Sequence, residues 1–177
     1  MLIFQDIIKN DEFMSDIFPY TLEYDDVIMK VQSSFKPKDK VGEVDIGCGN
    51  EFGGGENQAV DDEPTENVND VVYNANLQPV TMSKKEFMAY IKDFFKKVVT
   101  YLEEHDKKDR VETFKKGATA FIKFIIPHFD DLELYTGASH QEHEDVEGSI
   151  AIAYWEDESA KGPMFYFFKD GLKEEAV

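Results

Sequence analysis

Two apolar helical stripes, one following the other between Ser83 and Phe129, constrain this chain more than any other feature. Ser83-Lys84-Lys85-Glu86 has the S-x-x-E form of a capping box, in which the serine hydroxyl accepts from a backbone N–H three residues on and the glutamate reaches back. At 100° per residue, Phe87, Ile91, Phe94, Phe95, Val98 and Leu102 fall on one arc, with Met88, Val99 and Tyr101 at its margins. Asp109-Arg110-Val111-Glu112 repeats the capping pattern, and Val111, Phe114, Ala118, Phe121 and Ile125 form a second stripe. About six residues join the two, a link short enough to make them antiparallel neighbours. Pro127 should end or bend the second helix near its last turn. The pattern predicts a helical hairpin over 83–129.

Strand signals flank it. Leu2 to Ile8 is apolar and partly β-branched, and Asn10-Asp11-Glu12 breaks it with turn chemistry. From Thr21 to Gln32, Val27, Met29 and Val31 alternate with Ile28, Lys30 and Gln32, which predicts a half-buried strand. Lys36-Pro37-Lys38-Asp39 marks a turn, Val41 to Ile46 a short strand, and Val71-Val72-Tyr73 through Val80 a further one. Leu132–Thr136, Ser149–Trp155 and Pro163–Lys169 follow the hairpin. In the middle one Ile150, Ile152 and Tyr154 oppose Ala151, Ala153 and Trp155; the last is apolar on both faces, as a central strand is. Strands around a hairpin give an α+β class, in one domain over 1–177, with 15 Phe to fill its core.

Charge divides the chain. Residues 41–70 hold Glu43, Asp45, Glu51, Glu56, Asp61, Asp62, Glu63, Glu66 and Asp70, and no Lys or Arg. With five glycines and few apolar anchors, 47–70 is predicted to be a flexible acidic loop. Over 84–123, by contrast, Lys and Arg exceed acids 11 to 7, although the whole chain has 19 against 37. Lys85, Lys92 and Lys96 form a strip beside the first apolar arc, and Lys116 and Lys123 share a face of the second helix with Lys115 next to them. Such a patch can attract an acidic partner even on a strongly negative protein, and lysine, a flexible point charge, suits an extended acidic tail. A net charge of -18 argues against nucleic acid as a partner.

Catalytic and cofactor signals are weak. The one cysteine, Cys48, lies between Asp45 and Glu51, whose charges oppose thiolate formation; it also excludes an internal disulfide and any cysteine-based zinc site. Gly47-x-Gly49 continues into Phe52 rather than a third glycine, so no nucleotide cofactor is expected. His140-Gln141-Glu142-His143 lacks the helical spacing of a zinc site, and Asp61-Asp62-Glu63 offers oxygens to calcium without an EF-hand frame. No acid–base or nucleophile–base pair is recognisable, and an enzyme is not expected. The first residues lack a basic region before Asp6, and the longest apolar run, Met164 to Phe168, is far short of the ~20 residues of a membrane helix. A cytoplasmic protein is expected, without a secretory leader or membrane span.

The run Phe165-Tyr166-Phe167-Phe168-Lys169-Asp170-Gly171-Leu172 resembles the FFKDGL segment of the translationally controlled tumour protein family. Asn10-Asp11-Glu12 with Ser15-Asp16, Tyr90-Ile91-Lys92-Asp93, Phe129 through Gly137, and Gly148-Ser149-Ile150-Ala151 extend the resemblance over the whole chain. Departures occur in both family signatures. Gly49-Asn50 is followed by Phe52 and Gly54 where Ser and Glu are usual, and Gly137 is followed by Ala138 instead of Glu. The usual C-terminal cysteine is missing from Glu175-Ala176-Val177, and 41–70 contains no serine for loop phosphorylation.

The resemblance implies a β-tent-like set of mixed sheets with a projecting helical hairpin and a mobile loop. It implies weak calcium binding, here near Asn50, Asp131 and Glu133, and microtubule association through the hairpin, where Lys85, Lys92, Lys96, Lys115, Lys116 and Lys123 would attract acidic tubulin tails. It also implies growth and survival roles, regulation of a Ras-like small GTPase through Glu12, interaction with apoptosis regulators, and secretion by an unconventional route.

Overall fold

The computed structural model describes residues 2–37, 67–141 and 145–176. The strand predicted over Val41–Ile46, Cys48, Asn50 and most of the acidic segment lie outside the described residues, as do Glu142, His143 and Glu144.

Strand β10 (Met164–Phe168) organises the molecule. It pairs antiparallel with β4 (Ile28–Gln32) on one side and β9 (Ala151–Tyr154) on the other. Adding β3 (Tyr20–Glu23), β8 (Glu133–Thr136) and β7 (Gln78–Val80) completes a six-stranded sheet in the order β3-β4-β10-β9-β8-β7. Both faces of β10 are apolar because both are covered. Tyr166 and Phe168 point into one core with Ile28 and Ile152, packed by Phe87, Ile91, Phe94, Val98, Phe114 and Phe121 of the hairpin. Phe165 and Phe167 point into a second core with Met29, Val31, Ala151 and Ala153, closed by Phe4, Phe13 and Met14. Each aromatic so buried stabilises the fold by roughly 1.5–3 kcal/mol.

A three-stranded sheet, β11 (Leu172–Ala176), β1 (Leu2–Asp6) and β2 (Glu12–Ser15), supplies the second core's other wall. β5 (Phe35–Pro37) pairs with β6 (Asn67–Asn69), so the sequence expected as a turn at Lys36-Pro37 is extended, and the end of the predicted 47–70 loop is a strand. Of the strand expected from Val71 through Val80, the first part is instead helix α1 (Asp70–Ala75), and only Gln78–Val80 is extended, as β7. Asn69 Oδ1 accepts from the N–H groups of Val71 and Val72, and left-handed Asn76 closes the other end. Val71 and Ala75, four residues apart, enter the second core, and that burial outweighs the β-branched preference.

The strand expected over Thr21–Gln32 is a hairpin, β3 and β4. Tyr24, Asp25 and Asp26 have φ of 55°, 57° and 64°, three consecutive left-handed residues that reverse the chain. Asp tolerates this region better than Tyr does, and alternation cannot report it.

The hairpin comprises α2 (Lys84–Glu104) and α3 (Lys108–Ile125), joined by 105–107. The capping box forms: Ser83 Oγ accepts from Glu86 N–H at 3.1 Å, and Glu86 Oε1 from Ser83 N–H at 3.0 Å. Helix α3 starts earlier than its D-x-x-E pattern suggested. Lys107 is the N-cap without a side-chain bond, and Asp109 sits in the first turn, where its charge suits the helix dipole. Pro127 ends α3 as expected, and Ile126–Asp131 continues as a 3-10 turn into β8. The all-polar Lys173-Glu174-Glu175 part of β11 gave no sequence signal, because only Leu172 of that strand is buried.

Candidate functional site

With one face of each hairpin helix committed to the first core, the remaining faces carry the basic residues. Lys85, Lys92 and Lys96 lie exposed along α2, and Lys115, Lys116 and Lys123 lie exposed on α3. None of these six forms an ion pair among the described residues; Lys97, by contrast, pairs with Asp93 at 3.1 Å. Phe124, 39% exposed, is the one large apolar side chain left open on the hairpin among the described residues, and its ring meets His128, Tyr154 and Tyr166. His128 Nδ1 and Tyr154 Oη are hydrogen-bonded at 3.1 Å within that stack.

The hairpin is locked in place by polar contacts that the sequence did not reveal. Arg110 at the start of α3 donates from Nε to Asp170 Oδ1 at 3.1 Å and from Nη2 to Asp170 Oδ2 at 2.8 Å. Its remaining donors reach the carbonyls of Asp25 and Asp26 in the left-handed turn. The hydrogen bond to Asp170 raises the Arg110 pKa further, so the group stays charged at every accessible pH. On α2, Tyr90 donates its hydroxyl to the Gly148 carbonyl, and burial pushes the Tyr90 pKa well up, keeping it a neutral donor. The Asp170 in the Lys169-Asp170-Gly171 corner was the available clue to Arg110's partner; pairing across 60 residues is not legible from periodicity.

The N-terminal turn is organised around two aspartates. Buried Asp6 accepts from the N–H groups of Ile8, Lys9 and Ser149 and from Ser149 Oγ at 2.8 Å. Asp11 Oδ2 accepts from Ser139 Oγ at 2.6 Å. Glu12 starts β2, half-buried, opposite Gln5 on an edge strand of the three-stranded sheet. Asp131 and Glu133 are exposed at the junction of the 3-10 turn and β8, and Glu133 Oε2 accepts from Tyr135 Oη at 2.9 Å. Burial, aided by that bond, raises the Tyr135 pKa. The third residue of that set, Asn50, lies outside the described residues. Among the described residues, no group of three or more His, Cys, Asp or Glu side chains is placed to hold a metal ion. Among them, also, no helix is long and apolar enough to cross a membrane.

Fold and surface together define an α+β scaffold of antiparallel sheets carrying a helical hairpin with six exposed lysines that form no ion pair among the described residues. The family model of the translationally controlled tumour protein matches residues 1–173. The translationally controlled tumour protein homologue of Candida albicans is 37% identical over 177 residues, covering 100% of both chains. That of Schizosaccharomyces pombe is 33% identical over 175 residues, covering 99% of each. Among solved structures, the translationally controlled tumour-associated protein of Schizosaccharomyces pombe superposes with a TM-score of 0.75, at 33% identity and covering 100% of both chains. The Caenorhabditis elegans protein does so with a TM-score of 0.61 at 27% identity, covering 100% of this chain and 99% of that one. The chain belongs to the translationally controlled tumour protein family.

Proposed function

We propose that this protein is a non-enzymatic binding protein that engages acidic tails, those of tubulin foremost, through the hairpin. One observation carries the reading: six hairpin lysines are exposed with no intramolecular carboxylate on them among the described residues. Whole-molecule repulsion from a charge of -18 opposes an acidic partner. At physiological ionic strength, however, the Debye length is about 8 Å, so lysines in contact outweigh carboxylates farther away. Co-sedimentation with microtubules tests the proposal. Binding should fall steeply between about 0.1 and 0.5 M salt and weaken about tenfold when Lys85, Lys92 and Lys96 are changed to Glu. Binding indifferent to both changes would exclude it.

A second reading rests on Glu12, half-buried at an edge strand beside the Asp11–Ser139 contact, as the contact for a Ras-like small GTPase. Equal nucleotide release with wild type and Glu12→Val would exclude that role. Weak calcium binding is proposed at Asp131 and Glu133, both exposed on consecutive elements; amide shifts there on calcium titration test it, and shifts confined to the acids of 56–66 would reject it. Interaction with apoptosis regulators, growth and survival roles, and a cytoplasmic location complete the proposal from family membership.

A further inference from the structure

The strip of Lys85, Lys92 and Lys96 does not end in open solvent. Lys96 lines a shallow, open groove of about 320 Å³ between α2 and the turn that follows β1. Its floor is Ile7 and Ile8, half-buried against the first core, and Thr100 and Tyr101 line the helix side. Tyr101 is held flat by its stack on His105, with ring centroids 3.9 Å apart. Lys97 at the edge is already engaged by Asp93 and by the Glu147 carbonyl, whereas Lys96 has no ion pair among the described residues. Glu104 closes the far end and repels acids there.

These features have a direction. Lys85 to Lys96 is eleven residues of helix, about 16 Å, which an extended chain covers in about five residues. An acidic run lying on the lysines reaches the groove at Lys96, and continuing acidic past it meets Glu104. The groove has room for one large apolar side chain. We infer that the hairpin surface recognises a bipartite segment of a partner protein: about five residues rich in Glu and Asp, then a single aromatic or large aliphatic residue seated between Ile7, Ile8 and Tyr101. The inference rests on the proposed acidic-partner reading and adds the apolar anchor to it.

Fluorescence anisotropy on the full chain tests it, with two labelled peptides of six glutamates ending in Phe or in Ala. The Phe peptide should bind about tenfold tighter, the expected gain from burying most of one aromatic ring. Thr100→Trp, an exposed position whose indole would fill the groove, should remove that advantage and leave the Ala peptide unchanged. Changing Lys92 and Lys96 to Glu should weaken both peptides. Equal affinities for the two peptides, or a Phe advantage that survives Thr100→Trp, would overturn the anchor; if the lysine changes still weakened both, the acidic-partner reading would stand without it. Indifference to the lysine changes would remove that reading as well. Sedimentation showing a dimer that Thr100→Trp dissolves would assign the groove to a second copy of this chain and likewise overturn the inference.

Discussion

Arg110 and Asp170, 60 residues apart, meet in a two-pronged ion pair, Nε to Oδ1 at 3.1 Å and Nη2 to Oδ2 at 2.8 Å. The pair ties the first turn of α3 to the corner between β10 and β11. The same guanidinium also satisfies two carbonyls of the left-handed Tyr24-Asp25-Asp26 turn. One side chain therefore joins the hairpin both to that corner and to the β3–β4 turn.

Arg110→Ala should destabilise the protein by about 2 kcal/mol, because Asp170, with 9% of its side chain exposed, is left without its partner while solvent reaches Arg110 at 28%. For a domain of this size that is a fall of roughly 4–8 °C in melting temperature. Arg110→Lys should recover only part of it, since an ammonium cannot span both carboxylate oxygens and the turn carbonyls.

Gly117→Ala should destabilise although it lies in a helix. Helix propensity alone favours Ala by about 1 kcal/mol. Here an added Cβ would sit 2.6 Å from both the Tyr24 carbonyl and Val27 Cγ2, and backbone cannot yield cheaply. Overpacking costs about 1–3 kcal/mol, so a net loss of about 1 kcal/mol is expected in denaturant titration.

Asp6→Ala should cost about 2 kcal/mol, because the Ser149 N–H is left in a buried site without its acceptor, while the Ser149 hydroxyl can still donate to the Gly171 carbonyl at 3.0 Å. Gly148→Ala should disturb the same site from the other side, as its Cβ would fall 2.2 Å from Asp6 Oδ2. Chemical denaturation of both variants checks the shared mechanism.

The capping box predicts a pH dependence. Hydrogen bonds from Ser83 lower the Glu86 pKa below its ordinary 4.5. A depressed carboxyl stabilises the fold fully above the unfolded value and loses that contribution as pH falls through the folded one. The stability difference between wild type and Glu86→Gln should therefore hold at neutral pH and shrink as pH drops below 4.5. Ser83→Ala should cost about 1 kcal/mol at pH 7.

Reversing Lys85, Lys92 and Lys96 to Glu should leave unfolding within about 0.5 kcal/mol per site, because these side chains are exposed and have no ion pairs among the described residues. Lost binding with unchanged melting would mark them as contact residues.

The hairpin and the central strand were legible because their signals are local. An apolar arc at 100° per residue placed Phe87, Ile91, Phe94, Val98 and Leu102 in the core, and alternation placed Ile150 and Ile152 opposite Ala151 and Ala153. Helix α1 was misread because two valines suggested a strand, while Asn69 and Asn76 acted as caps only once Val71 and Ala75 had a core to enter. The β3–β4 reversal went unseen because the alternation begins only at Val27, after the turn, and Tyr24-Asp25-Asp26 contains no glycine to mark left-handed backbone.

The sequence on its own determined which faces are apolar, where α2 begins, where α3 ends, and that the basic residues gather on the hairpin. These follow from spacing within a few residues and from side-chain chemistry. Tertiary structure alone decided that Arg110 holds the left-handed turn 85 residues before it, that Gly117 must be bare to pass Tyr24, and that the lysine strip runs into a groove floored by Ile7 and Ile8. Contacts across such separations depend on how completed elements pack, and no periodicity within an element encodes them.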